Sequence, residues 1–124
     1  MLVERQCLRE GSGGAGKFRG GLGIEVSVRV LCDAFTNINV ERQRTPPWGL
    51  FDGECGATAK ALVKQTADDP GSWLTKKPNY LLKAGGSVTF FTAGGGGYGP
   101  TRERACELIA RDRRLGYVTA GDEG

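Results

Sequence analysis

The chain has 124 residues, 17 basic against 14 acidic side chains, 21 glycines, four cysteines and no histidine. This length fits one domain spanning 1–124, and the small, dispersed charge excess argues against a nucleic-acid partner or a membrane-surface partner. Without histidine the commonest general base and metal ligand are missing, and so is every Ser-His or Cys-His nucleophile pair.

Residues 1–10 read as a polar lead-in without a signal-peptide core, and no apolar run approaches the roughly 18 residues of a membrane span. The expected compartment is the cytoplasm, and Met1 reads as the start of a whole gene product. Residues 11–23 carry seven glycines. Gly11, Gly13 and Gly16 satisfy G-x-G-x-x-G, and Gly11 to Lys17 satisfies G-x-x-x-x-G-K. Both patterns need a helix leaving the loop, with its N-terminus facing the phosphates. Here KFRGGLG leaves the loop and a β pattern follows, so the glycines are read as close backbone packing rather than a nucleotide cradle.

Residues 22–31 give the clearest strand: Leu22, Ile24, Val26, Val28 and Val30 share one face, and Glu25, Ser27 and Arg29 the other. Residues 37–42 repeat the pattern through Ile38 and Val40, and CDAFT is read as a hairpin connection between the two. Residues 44–56 break regularity, because Pro46 and Pro47 fix φ, remove donors and favour polyproline II. Trp48 and Phe51 stand on that irregular segment. Residues 57–64 suit a short strand or turn. Pro70-Gly71 suits a type II turn within 66–73, with Asp68 and Asp69 read as a solvated turn. Tyr80–Leu82 and Ser87–Thr92 read as strands joined by the turn Lys83–Gly86. Gly94, Gly95, Gly96 and Gly97 read as extended or positive-φ backbone packed on backbone. Residues 101–115 switch to helical spacing, with Thr101 as cap, Gly116 as stop, and Arg113 and Arg114 suiting the negative helix end.

The fold class expected is therefore mainly β, with irregular glycine-rich and polyproline II-like segments and one C-terminal helix, a small α+β module. Large aliphatics and phenylalanine make up only about a fifth of the chain. Such a composition suits a module that gains burial from a partner better than an independent enzyme. Cys7, Cys32, Cys55 and Cys106 are widely spaced, which favours free thiols over a four-thiolate zinc site or two disulfides.

Three landmarks stand in register: Gly13–Gly23 (GGAGKFRGGLG), Pro46–Gly56 (PPWGLFDGECG) and Gly94–Gly99 (GGGGYG). Together they make the chain resemble the C-terminal module of the hydantoinase B/oxoprolinase family over about residues 10–118. The family's B-type chains are several times longer. The resemblance implies a small non-catalytic subunit of a multi-subunit ATP-dependent carboxylase. Within the family, acetophenone carboxylases fit best, since they carry a small extra subunit and carboxylate an aromatic ketone with bicarbonate to a 3-oxo acid. A split ATP-dependent N-methylhydantoinase or 5-oxoprolinase is the alternative, and a free-standing interaction module a third reading. The partners implied are large hydantoinase A-type and B-type subunits. No catalytic, cofactor or metal residue is assigned to this chain, and ATP and magnesium are expected on the partner subunits. Pro46, Pro47, Trp48, Leu50 and Phe51 are the candidate partner interface. Gly13, Gly14, Gly20, Gly21, Gly94, Gly95, Gly96 and Gly97 are the candidate structural glycines.

Overall fold

The computed structural model describes residues 1–119. Seven strands are followed by one helix: β1 (Leu2–Leu8), β2 (Ile24–Arg29), β3 (Ala34–Asn39), β4 (Lys60–Lys64), β5 (Ser72–Leu74), β6 (Lys76–Leu82), β7 (Ser87–Phe91) and α1 (Cys106–Arg114). One sheet has the order β1-β2-β7-β4-β5, and a second pairs β3 with β6. All pairings are antiparallel. The fold is thus the mainly β module with a C-terminal helix that composition and periodicity predict.

The strand read over 22–31 is observed as Ile24–Arg29, with Ile24 exposed and the other residues half-buried. Val26 and Val28 stand opposite Phe90 and Val88, while Glu25, Ser27 and Arg29 stand opposite Phe91, Thr89 and Ser87. The core lies between the two sheets: Ala61, Val63 and Val88 of the larger meet Ile38 and Leu82 of the smaller. Few large side chains are fully buried, in keeping with the glycine-rich composition.

Several sequence expectations need correction. Residues 2–8 form a strand rather than a lead-in. This edge strand is charged, and ion pairs Arg5–Glu25 at 3.3 Å and Arg29–Glu4 at 2.6 Å tie it to β2, a usual way of blunting a sheet edge. CDAFT does not close a hairpin. It carries the chain from one sheet to the other, so β3 begins at Ala34 and pairs with β6. β6 starts at Lys76 and includes Pro78, whose missing N–H falls where the register with β3 shifts. There Asn37 Oδ1 accepts from the Asn79 N–H at 2.8 Å. Ser72 and Trp73, read as the end of the turn 66–73, form β5 together with Leu74.

The C-terminal helix is shorter than its spacing suggests. Thr101–Glu103 form a separate 3-10 turn, Arg104 is extended, and Ala105 precedes the helix without a side-chain cap. Thr101 therefore does not cap α1. Gly116 does end it: at φ 68° its N–H reaches the Arg113 carbonyl, and the Tyr117 N–H reaches the Asp112 carbonyl. This is the Schellman arrangement. No helix among the described residues is long and apolar enough to cross a membrane.

Candidate functional site

Five segments belong to no named strand and bond to one another: 12–17, 18–23, 46–50, 53–58 and 94–99. The bonds follow a repeat of three. Ala57 and Glu54 donate to Ser12 and Ala15, and Gly94 and Gly97 donate to Ala57 and Glu54. Three residues per turn, with no hydrogen bonds inside a segment, is the repeat of polyproline II. The segment 94–99 is the axis, bonded to each of the other four. Gly14 donates to Gly95 at 2.8 Å, Gly95 to Gly21 at 2.8 Å, and Leu50 to Gly97 at 2.9 Å.

Such rods approach closely only where side chains are absent. A Cβ at Gly94 would overlap the Ser12 carbonyl, one at Gly96 the Trp48 carbonyl, and one at Gly97 the Ala15 carbonyl. Gly13, Gly14 and Gly20 likewise face the carbonyls of Gly20, Glu54 and Gly95. Gly95 is looser, with its nearest neighbour, the Gly21 nitrogen, at 3.1 Å, and Gly21 meets nothing within 4 Å. None of Gly94 to Gly97 has positive φ, so closeness rather than handedness excludes side chains there.

The rods carry an exposed apolar platform. Tyr98 bridges Phe18 on one side and Leu50 on the other. Its ring lies 6.2 Å from Phe18 and 5.2 Å from Phe51, the latter edge-on. Phe51 is 71% exposed and, with Asp52, takes positive φ, at 49° and 67°. Since the Gly53 N–H closes on the Leu50 carbonyl at 3.0 Å, Leu50–Gly53 is a type I′ turn. A bulky residue in this conformation is strained by about 1–2 kcal/mol. The fold therefore holds the Phe51 ring at the turn tip, against its backbone preference. Pro46 and Pro47 are half-buried. Trp48 is exposed but outside the ring cluster, with the Arg42 guanidinium 5.4 Å from its ring centre. Phe18 and Tyr98 are the members that sequence reasoning did not place there. Their aromatic character inside two glycine landmarks was the available signal.

A buried charge cluster fixes α1 to the rods. Asp112 accepts from Arg19 Nε at 2.9 Å and from Arg104 Nη2 at 2.6 Å. The side chains of Asp112 and Arg104 are only 7% and 10% exposed. Burial pushes the Asp112 carboxyl up, but the hydrogen bonds and charges of the two guanidiniums outweigh it and hold it below its ordinary value. Arg104 Nη1 also donates to the Lys17 carbonyl and Arg19 Nη1 to the Gly20 carbonyl. Both guanidiniums thus tie rods to helix, and the extended backbone at Arg104 aims one of them.

The remaining motifs take ordinary places. Lys17 Nζ pairs with Glu103 at 3.2 Å, and no helix follows Gly16. Asp69 accepts from the Gln65 and Gly71 N–H groups, each at 2.8 Å, and these bonds hold its carboxyl below the usual range. All four thiols are free: Cys7 is half-buried, and Cys32, Cys55 and Cys106 are exposed. No group of three or more metal-ligating side chains occurs among the described residues.

A family model described as hydantoinase B/oxoprolinase matches residues 1–101. The chain is 30% identical, over 96% of its length, to the B component of a putative D-/L-hydantoinase from a Pseudomonas species, of which it covers 20%. Its fold is similar to that of an acetone carboxylase in a nucleotide-free structure of ATP-dependent acetone carboxylation (TM-score 0.82, 18% identity, 99% of this chain, 21% of that one). It is also similar to the ATP-dependent caprolactamase of Pseudomonas jessenii (TM-score 0.77, 25% identity, 95% of this chain, 21% of that one). The chain spans about a fifth of the length of these relatives.

Proposed function

Because this chain belongs to the hydantoinase B/oxoprolinase family, we propose that it is a non-catalytic small subunit of a multi-subunit ATP-dependent enzyme, docked on larger A-type and B-type chains in the cytoplasm. One observation carries the reading: an exposed platform of Phe18, Leu50, Phe51 and Tyr98, built at the expense of backbone strain. Aromatic anchors on partly ordered backbone are the usual energetic centres of interfaces. In this reading ATP and magnesium sit on the partners. The engagement of Lys17 by Glu103 and the strand pattern after the glycine loop support that division.

Two reactions are supported by different observations. Carboxylation of an aromatic ketone, as in acetophenone carboxylases, is supported by the likeness to acetone carboxylase, which at 18% identity concerns the fold alone. Hydrolysis of a cyclic amide is supported by sequence as well, through the hydantoinase component and the caprolactamase. Fold alone does not carry chemistry, so cyclic-amide hydrolysis is the preferred reading and ketone carboxylation the second. The test is co-expression of the tagged chain with A-type and B-type chains from its own source. ADP release is then followed with hydantoin, 5-oxoproline, or acetophenone plus bicarbonate. Co-purification with ADP release on a cyclic amide supports the first reading, and release only with ketone and bicarbonate moves it to the second. A tagged chain that leaves this co-expression without the larger chains bound, or that by itself binds Mg-ATP in calorimetry, overturns both.

A further inference from the structure

A groove of about 450 Å³ lies between the rods 12–17 and 53–58 on one side and α1 on the other. Gly13, Gly16 and Cys55 line it from the rods, and Arg104, Ile109 and Asp112 from the region of the helix. Gly13, Gly16 and Cys55 share a property: no N–H or C=O of theirs is hydrogen-bonded to any described residue. Their neighbours are bonded. With three residues per turn, the rod 12–17 presents three rows of main-chain groups. Ser12 and Ala15 form one row, paired with Ala57 and Glu54. Gly14 and Lys17 form the second, paired with Gly95 and Gly99 of the axis. Gly13, half-buried, and Gly16, buried, form the third; both line the groove beside Gly14 and Ala15, and only this third row has its main-chain groups unpaired. Two equivalent positions one turn apart are separated by about 9 Å, the repeat at which another rod of the same kind would pair.

The chemistry of the groove selects its ligand. The unpaired groups are main-chain donors and acceptors at the repeat of an extended peptide, and leaving such groups desolvated without partners is costly. The nearby guanidiniums of Arg19 and Arg104 are already engaged by Asp112 and by carbonyls, so the site is not built to capture a free anion. Pairing with this main chain requires close backbone approach, so an incoming segment must have short side chains on the facing side. We propose that this groove seats one further extended segment, of polyproline II type and with small side chains, contributed by the larger B-type partner. That segment would add a rod to the bundle as a strand adds to a sheet edge. Its source is argued from length: relatives that share this module have about four-fifths of their chain outside it. The inference rests on the docked-subunit reading.

The test uses the thiols. Cys55 lines the groove, whereas Cys32 is exposed in the connection between β2 and β3 and serves as an internal control. Maleimide labelling is followed by mass spectrometry in the chain alone and in complex with the B-type partner. Binding of the partner should slow labelling of Cys55 at least tenfold and leave Cys32 within twofold. Cys55→Trp, which fills the groove, should weaken the complex at least tenfold, and Cys55→Ala, which keeps the main chain, less than twofold. The labelling result stands without any variant, so misfolding of Cys55→Trp does not decide the matter. If the partner binds and Cys55 still labels at the free rate, the groove proposal is wrong and the docked-subunit reading survives. If the partner does not bind the wild-type chain, both fail. Protection of Cys55 by inorganic phosphate without partner also overturns the proposal, because the groove would then be an anion site.

Discussion

Replacing Asp112 by Asn keeps the side-chain shape and removes the charge that two guanidiniums share. In the wild type, Oδ2 accepts at 2.9 Å from Arg19 and 2.6 Å from Arg104, and Oδ1 accepts at 3.4 Å from Arg19. The Asn amide keeps one acceptor oxygen but loses the charge and the second acceptor, and its nitrogen turns a donor toward a guanidinium donor. Hydrogen bonds to charged groups contribute about 1.5–3 kcal/mol each, and removing one partner of a buried ion pair costs about 3–5 kcal/mol. Arg19 is 17% exposed, so the lower end of that range applies, about 3 kcal/mol. The loss should be local, because α1 has only Leu108 and Ile109 half-buried besides Asp112. Amide exchange in a peptide covering 106–114 should therefore speed up roughly 100-fold, while the β2 and β7 peptides stay within threefold. The effect also depends on pH. Since the folded carboxyl lies below its ordinary value, its stabilisation is complete above about pH 4 and is lost as pH falls through the folded value. Wild type and variant should then converge in acid. Less than threefold acceleration at neutral pH, or a gap that persists undiminished in strong acid, would refute the reasoning.

Two other substitutions test the rods and the platform. Gly97→Ala puts a Cβ onto the backbone of Ala15, whereas Gly21→Ala meets nothing within 4 Å. The first should lose more than about 4 kcal/mol and the second should change stability by less than about 1 kcal/mol, as read from urea midpoints; similar midpoints would contradict the packing account. Phe51→Asn relieves a positive φ that Asn tolerates but forfeits the ring contact with Tyr98, about 0.5–1.5 kcal/mol. Stability should therefore shift by less than about 1 kcal/mol, while partner affinity in a pull-down titration falls at least about 30-fold. Equal losses in both measurements would mean that Phe51 serves the fold and not an interface.

Sequence pattern revealed what depends on local period and missed what depends on distant partners. The strand around Val26 and Val28 was legible because alternation and β-branching agree. The absence of side chains in the glycine landmarks was legible as close packing, but not which segments meet, since a polyproline II rod has no periodic polarity to betray its neighbours. β1 was unreadable because an edge strand carries charges, and its register shift between Val3 and Arg5 breaks the alternation. The exchange of sheets between β2 and β3 leaves no mark on a short connector. Asp112 stands inside the run RDRR, where one buried carboxylate looks like the solvated charges beside it. Trp48 and Phe51 looked alike as exposed aromatics; only geometry separates a ring beside Arg42 from one held against Tyr98.

The axis rod 94–99 is the last of the five in chain order, yet each of the others bonds to it. A chain emerging from a ribosome therefore lays down four rods before the one that organises them. The sheet has the same delay, because β7, which joins β2 to β4, ends only at Phe91. Long loops must close before any of these contacts stabilise the chain, which makes folding slow and late rather than progressive. Until residues 94–99 are made, the rods 12–17, 18–23, 46–50 and 53–58 lack the segment to which each of them bonds.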